Sequence, residues 1–94
     1  VNKQMLKIDF NALLYIEGLS NYVKIQTHEK AFVVYDKLST LIENLPTNQF
    51  VRVHKSYIIN VSKIKLYTKE FVEIDGKHIP VSSTYRASLM ALLK

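Results

Sequence analysis

The sequence predicts a mostly β domain built from antiparallel sheets, and three features predict it. Apolar residues come in short runs rich in Val, Ile, Tyr and Phe, and Gly, Asn, Asp or Ser interrupts them at close intervals. Asp75-Gly76 is a two-residue turn of the kind that closes a β-hairpin, because both positions accept positive φ. Helical spacing occurs only twice, so the strands cannot be linked by crossover helices into a parallel sheet.

Taken in order, Met5–Asp9 (M-L-K-I-D) and Leu13–Glu17 (L-L-Y-I-E) suit strands joined tightly at Asn11-Ala12. Gly18 to Asn21 is turn chemistry, since Gly and Asn tolerate positive φ and Ser bonds local backbone. Tyr22–Thr27 alternates Val and Ile with Tyr, Lys and Gln, a half-exposed strand, and Phe32–Tyr35 returns from a turn at His28–Lys30. Leu38, Leu41, Ile42 and Leu45 then form one apolar helical stripe, with Asp36 or Ser39 as cap and Pro46 as stop.

Phe50, Val51 and Val53 begin another strand, and Tyr57, Ile58, Ile59 and Val61 are too densely apolar for a surface loop. Ile64–Thr68 and Phe71–Asp75 flank Lys69-Glu70 as a hairpin, and Asp75-Gly76 joins Phe71–Ile74 to His78–Val81. Ser82-Ser83 suits the cap of a terminal helix, Thr84 to Leu93, with Arg86 exposed. The count is seven to nine short strands and two short helices.

The chain has 94 residues, which suits one domain. It has no Cys, so it carries no disulfide framework and no thiolate chemistry, in keeping with a reducing cytoplasm. No apolar run approaches the ~20 residues that span a bilayer, and no secretion-signal pattern opens the chain. The opening Val1, almost directly on a strand-like pattern, suggests a domain cut from a longer protein.

Charge is concentrated. The formal net charge is +5, and Val51 to Lys69, with one Arg, four Lys and no acidic residue, already accounts for +5. A localised basic window favours a polyanionic partner, nucleic acid ahead of an anionic membrane surface. Within it, Arg52, His54, Lys55 and Ser56 supply charged and neutral hydrogen bonds of the kind phosphates take. A solvated strand edge, guarded by Lys against edge-to-edge pairing, accounts for the same residues equally well.

Catalysis and cofactor binding find little support. His28, His54 and His78 are far apart in sequence and lack metal-ligand spacing. Ser56 has no Gly-flanked elbow, and with only Gly18 and Gly76 there is no phosphate-cradling loop. No enzyme activity, metal or cofactor is expected.

Phe50–Ile64, F-V-R-V-H-K-S-Y-I-I-N-V-S-K-I, closely resembles the signature F-x-R-x-H-[RK]-S-[FY]-[IL]-[IV]-N-x-x-x-I of the LytTR DNA-binding domain. Leu13–Ile25 resembles that family's opening segment, Lys37–Leu45 its short helix and Ile79–Leu89 its closing segment, so the resemblance spans essentially the whole chain. It implies about ten short strands in three antiparallel sheets, one or two short helices and no helix-turn-helix. It also implies the cytoplasmic output domain of a bacterial two-component transcriptional response regulator. Such domains insert loops into successive major grooves of promoter DNA, often as a homodimer on direct repeats, behind an N-terminal receiver domain.

Carried over residue by residue, the resemblance places DNA contacts in three loops. Asn21 and Tyr22, with Ser20 and Lys24 beside them, occupy the first. His54, Lys55 and Ser56, with Arg52, occupy the second, where Lys55 suits a guanine edge or a phosphate. Ser83, Thr84, Tyr85 and Arg86 occupy the third. Many members carry Arg directly after the Val-Ser pair, whereas here Val81-Ser82 is followed by Ser83-Thr84. That departure leaves open a domain that kept the fold for protein interaction and lost DNA binding. Asn60 reads as structural, and Tyr15 and Glu17 as strand-packing residues, Glu17 also as a brace for a contact loop.

Overall fold

A computed structural model describes residues 8–93. Its strands are β1 (Leu13–Gly18), β2 (Val23–Thr27), β3 (Ala31–Val34), β4 (Phe50–His54), β5 (Tyr57–Asn60), β6 (Leu66–Tyr67), β7 (Phe71–Ile74) and β8 (Lys77–Pro80). Helix α1 (Leu38–Ile42) follows β3, and α2 (Arg86–Leu92) closes the chain. One five-stranded sheet runs β3-β2-β1-β5-β4 and one three-stranded sheet runs β6-β7-β8, with every pairing antiparallel.

The core lies on both faces of the large sheet. On one face Leu13, Ile16, Val23, Ile25, Phe50 and Ile58 bury against Leu38 of α1. On the other, Leu14, Tyr15, Val51, Val53 and Ile59 meet Val72, Ile74 and Ile79 of the small sheet, with Leu89 of α2. A register shift between Leu13 and Tyr15 makes this possible. The bulge returns Leu13 and Ile16 to one side while Leu14 and Tyr15 serve the other, so four consecutive residues of β1 are buried. At the end of β1, a Cβ on Gly18 would come within 2.9 Å of Leu38 Cδ1, so glycine lets α1 approach the strand.

Two local devices set the connections. Asp75 (φ 50°) and Gly76 (φ 81°) turn β7 into β8 with both residues left-handed, as the Asp-Gly pair requires. Asn60, fully buried, donates its amide to the carbonyls of Phe10 (3.1 Å) and Leu13 (2.8 Å). Its carbonyl accepts the Ser62 N–H (3.0 Å) and hydroxyl (2.7 Å), closing the 3-10 turn Val61–Lys63. Asn60 is therefore scaffold, as its position suggested.

Several expectations need correction. The described residues form eight strands in two sheets, not ten in three. The Asn60-closed turn and a two-residue β6 take up chain that further strands would need. The expected Met5–Asp9 strand lies outside the described residues as far as Lys7. Asp9 instead caps the 3-10 turn Phe10–Ala12 through its carboxylate, which accepts the Asn11 N–H (3.0 Å).

Neither helix uses its expected cap. The N-cap of α1 is Lys37, because the Asp36 carboxylate turns back to accept the Lys37 N–H (2.8 Å). Helix α2 starts at Arg86 behind Tyr85, two residues later than expected. Ser82 faces β4 instead, where its N–H donates to the Val53 carbonyl (2.9 Å), and its buried hydroxyl finds no partner among the described residues. The two helices are separated by β4–β8, so they form no helix-turn-helix.

Candidate nucleic-acid interface

The β4–β5 connection carries His54, Lys55 and Ser56, and the structure explains its shape. The Ser56 N–H donates to His54 Nδ1 (3.0 Å), so the imidazole closes the turn and a neutral ring carries its proton on Nε2. Beneath the turn, Arg52 Nη2 donates to the Lys55 carbonyl (2.6 Å) and its Nε to the His54 carbonyl (3.4 Å). One guanidinium thus holds two carbonyls of the loop. A register shift between Arg52 and His54 loosens the ladder there, and Lys55 stands exposed at the tip.

The first loop is tied to the second. The Gly18 N–H donates to the Ser56 carbonyl (2.8 Å), and the Leu19 N–H to the Tyr22 carbonyl (2.8 Å). Together they border an open groove of about 410 Å³ lined by Ser20, Asp36, Lys37, Arg52, Lys55 and Ser56, among others. Asn21 is exposed at the loop tip. Tyr22 is half-buried, its ring edge-on to Tyr35 at 6.0 Å. Lys24 lies in β2 opposite Glu17 of β1 and Val33 of β3, on a strand surface and outside the groove lining.

The third segment reaches the second through Tyr85, whose ring lies 5.5 Å from the Arg52 guanidinium carbon, a cation–π arrangement. Ser83 and Thr84 are exposed in the turn before α2. Arg86, expected to be exposed, is half-buried, with its Nε donating to the Lys69 carbonyl (2.7 Å). The Arg86 side chain is thereby tied to the β6–β7 turn, and the turn itself enters the surface. Lys69 is the residue the sequence reading missed. The Lys69-Glu70 pair was legible as a hairpin turn, but the contact that brings it to α2 spans 17 positions.

The loops rest on a polar brace. Tyr57, the first residue of β5, donates its hydroxyl to Glu17 Oε2 (3.2 Å), and its ring packs edge-on against His54 at 5.8 Å. Burial, the Glu17 charge and this hydrogen bond raise the Tyr57 pKa above its ordinary 10.0. Burial first, then the charges of Glu17 and Asp75, raise that of Tyr15 likewise. A raised pKa means the fold favours the protonated phenol. That stability is fully present below pH 10 and is lost as pH rises through the folded-state value. Tyr57→Phe is expected to flatten the fall in melting temperature between about pH 9 and 11; an unchanged slope would exclude Tyr57 as a contributor.

Among the described residues, no three His, Cys, Asp or Glu side chains lie together as a metal site, and no helix is long and apolar enough to cross a membrane. His78 stacks on Phe71 and lies 3.5 Å from Glu73, away from the three loops.

The sequence model of the LytTr DNA-binding domain family matches residues 3–94. The chain belongs to the LytTr DNA-binding domain family. This LytTr domain is 30% identical over 99 aligned positions to the sensory transduction protein LytT of Bacillus subtilis, covering 99% of the chain and 41% of the relative. It is 34% identical over 86 positions to an uncharacterised response regulatory protein of Vibrio cholerae, covering 80% of the chain and 32% of that protein. The domain therefore spans less than half the length of the curated relatives it matches. A solved Bacillus cereus structure, the LytTr DNA-binding domain of a protein described as a methyl-accepting/DNA response regulator, superposes with a TM-score of 0.82. Sequence identity to it is 27%, covering 92% of this chain and 84% of that one.

Proposed function

We propose that this domain binds double-stranded promoter DNA sequence-specifically, as the cytoplasmic output half of a bacterial two-component response regulator. The observation that carries the reading is the joining of three loops from distant parts of the chain by Arg52. It holds the His54 and Lys55 carbonyls, stacks on Tyr85 and lines the groove that the first loop borders. Lys55 at the tip is the base-reading candidate, and Ser20, Asn21, Ser56, Ser83 and Thr84 supply neutral bonds to phosphate oxygens. Lys24, Lys69 and Arg86 supply backbone charge. The loops enter successive major grooves, two copies occupy direct repeats as a homodimer, and a receiver domain precedes Val1 in the parent protein.

Lys55→Ala tests the assignment by fluorescence anisotropy against a promoter fragment and its single-base variants. Loss of about 1–3 kcal/mol on the best site, with relaxed preference at one position, is the expected result for a base contact. Equal weakening on all sequences would move Lys55 to the phosphates.

A second reading, a LytTr-fold domain for protein interaction, is favoured by one observation. Arg86, the only cation of the third segment, is tied to the Lys69 carbonyl, and no Arg comes immediately after Val81-Ser82. Binding to every promoter fragment tested that stays absent at about 50 mM salt would favour that reading.

A further inference from the structure

Lys55 and Ser56 form a two-residue hairpin loop between β4 and β5, with His54 paired to Tyr57 at its base. Hairpins of this length most commonly close through a turn with positive φ at one or both central residues. Asp75 and Gly76 do so in the β7–β8 hairpin, but neither Lys55 nor Ser56 has a positive φ. Side chains hold this loop instead: Arg52 on the His54 and Lys55 carbonyls, and the His54 ring on the Ser56 N–H.

The second of these holds depends on a proton. A backbone N–H donates to Nδ1 only while Nδ1 keeps its lone pair, so the imidazole must be neutral. An imidazolium carries N–H on both nitrogens, and the Ser56 N–H would then meet another donor at 3.0 Å. Closing the turn and protonating the ring exclude each other. Imidazoles as a class exchange this proton between about pH 5 and 8.

The charges around the ring do little to compensate a positive imidazole. On β4 and its loop, Arg52 sits at the His54 carbonyl and Lys55 is the next residue. From β5 the Tyr57 ring packs edge-on at 5.8 Å, and Lys77 of β8 lies 5.8 Å from that ring. Tyr85, before α2, lies over Arg52. The acidic groups of the neighbouring elements are engaged or further off. Glu17 of β1 accepts the Tyr57 hydroxyl, Asp36 accepts the Lys37 N–H across the groove, and Asp75 acts on Tyr15, one ring beyond Tyr57. Among the described residues no carboxylate pairs with His54.

We propose that His54 is a positioning residue: its neutral ring holds Lys55 and Ser56 in the shape that meets DNA, and protonating it releases the turn and weakens binding. The binding half of this rests on the DNA-binding reading; the coupling of turn to proton does not. The sign is the reverse of what a histidine acting as a cation toward phosphates would give. A charged ring in contact with DNA would strengthen binding as pH falls, whereas a ring that must stay neutral weakens it.

The ring and the amide are read first without DNA, by NMR of the free chain between about pH 7.5 and 5.5. At the upper end the imidazole nitrogen shifts should show Nδ1 bare and Nε2 protonated. The Ser56 amide proton should then move with the same midpoint as the ring. DNA binding is read by fluorescence anisotropy at fixed ionic strength at both ends of that range. The wild type should lose about 3- to 10-fold toward the acid end. His54→Asn supplies a side-chain oxygen that accepts the N–H two residues on, as in an Asx-turn, and takes up no proton. Between the two pH values its affinity should change by less than about 2-fold. His28 and His78 remain in that variant, so its difference from the wild type isolates His54. A ring protonated on Nδ1 at the upper pH, or a Ser56 amide indifferent to the ring, would overturn the proposal. So would a wild type that binds more tightly in acid, or His54→Asn with the wild-type pH dependence. Absence of binding at both pH values would instead sink the DNA-binding reading and the binding half with it, leaving ring and amide to decide the turn.

Discussion

Replacing Asn60 with alanine is expected to lower the melting midpoint by roughly 10–25 °C. Asn60 is fully buried and makes four hydrogen bonds, two given to the Phe10 and Leu13 carbonyls and two taken from Ser62. Its removal leaves at least the Leu13 carbonyl buried without its partner, and leaves a cavity at the junction of β1, β5 and the Val61–Lys63 turn. Unmade buried hydrogen bonds of this kind cost about 2–4 kcal/mol together. For a domain of this size each kcal/mol moves the midpoint about 4–8 °C. Ser62→Ala, which removes one hydroxyl bond and leaves the Asn60 amide in place, should cost only about 0.5–1.5 kcal/mol. A midpoint for Asn60→Ala within a few degrees of the wild type would show that the loops reorganise to satisfy those carbonyls.

Asn60 also marks where the sequence is informative about the fold. Its polar side chain in an apolar strand reads as structural because an amide buried there needs hydrogen-bond partners, which its apolar neighbours Ile58, Ile59 and Val61 do not. The Asp75-Gly76 turn and the Leu38, Leu41, Ile42 stripe were legible for the same reason: each is a local requirement written in consecutive residues. The helix starts were not, because the Asp36 carboxylate is taken by the Lys37 N–H, and Ser82 is held at β4 by its own N–H on the Val53 carbonyl, with its hydroxyl unpartnered among the described residues. The bulge that buries Leu13 through Ile16 on two faces has no signature in residue type either.

The candidate site divides along the same line. His54, Lys55 and Ser56 are contiguous, so their membership of one loop was readable, and the family resemblance gave that loop a meaning. What no local pattern carried is the convergence: Gly18 on Ser56, Tyr85 on Arg52, and Arg86 on Lys69. Arg52 was read as a phosphate contact, yet two of its N–H groups face inward to loop carbonyls. Its role in the structure is to shape the loop that Lys55 presents.

That geometry separates charge from shape in the second large effect, the response of DNA binding to salt and to Arg52. Five of the cations on or beside the three loops are the proposed contacts: Lys24, Arg52, Lys55, Lys69 and Arg86. If each neutralises one phosphate, affinity should fall about 500-fold between 50 and 200 mM salt, from a log–log slope near 4.5. Arg52→Lys keeps the charge but not the fork, because one ammonium lacks the planar set of donors that reaches the His54 and Lys55 carbonyls while the group lies over Tyr85. The expected outcome is a loss of about 10-fold or more on the best site with an almost unchanged salt slope, and discrimination between sites reduced together with affinity. Arg52→Ala should lower both the affinity and, by about one contact, the slope. If Arg52→Lys bound like the wild type, the guanidinium would be acting as a point charge toward the phosphates. If it left discrimination intact while the slope fell, the loop would owe its shape to the His54–Ser56 bond alone.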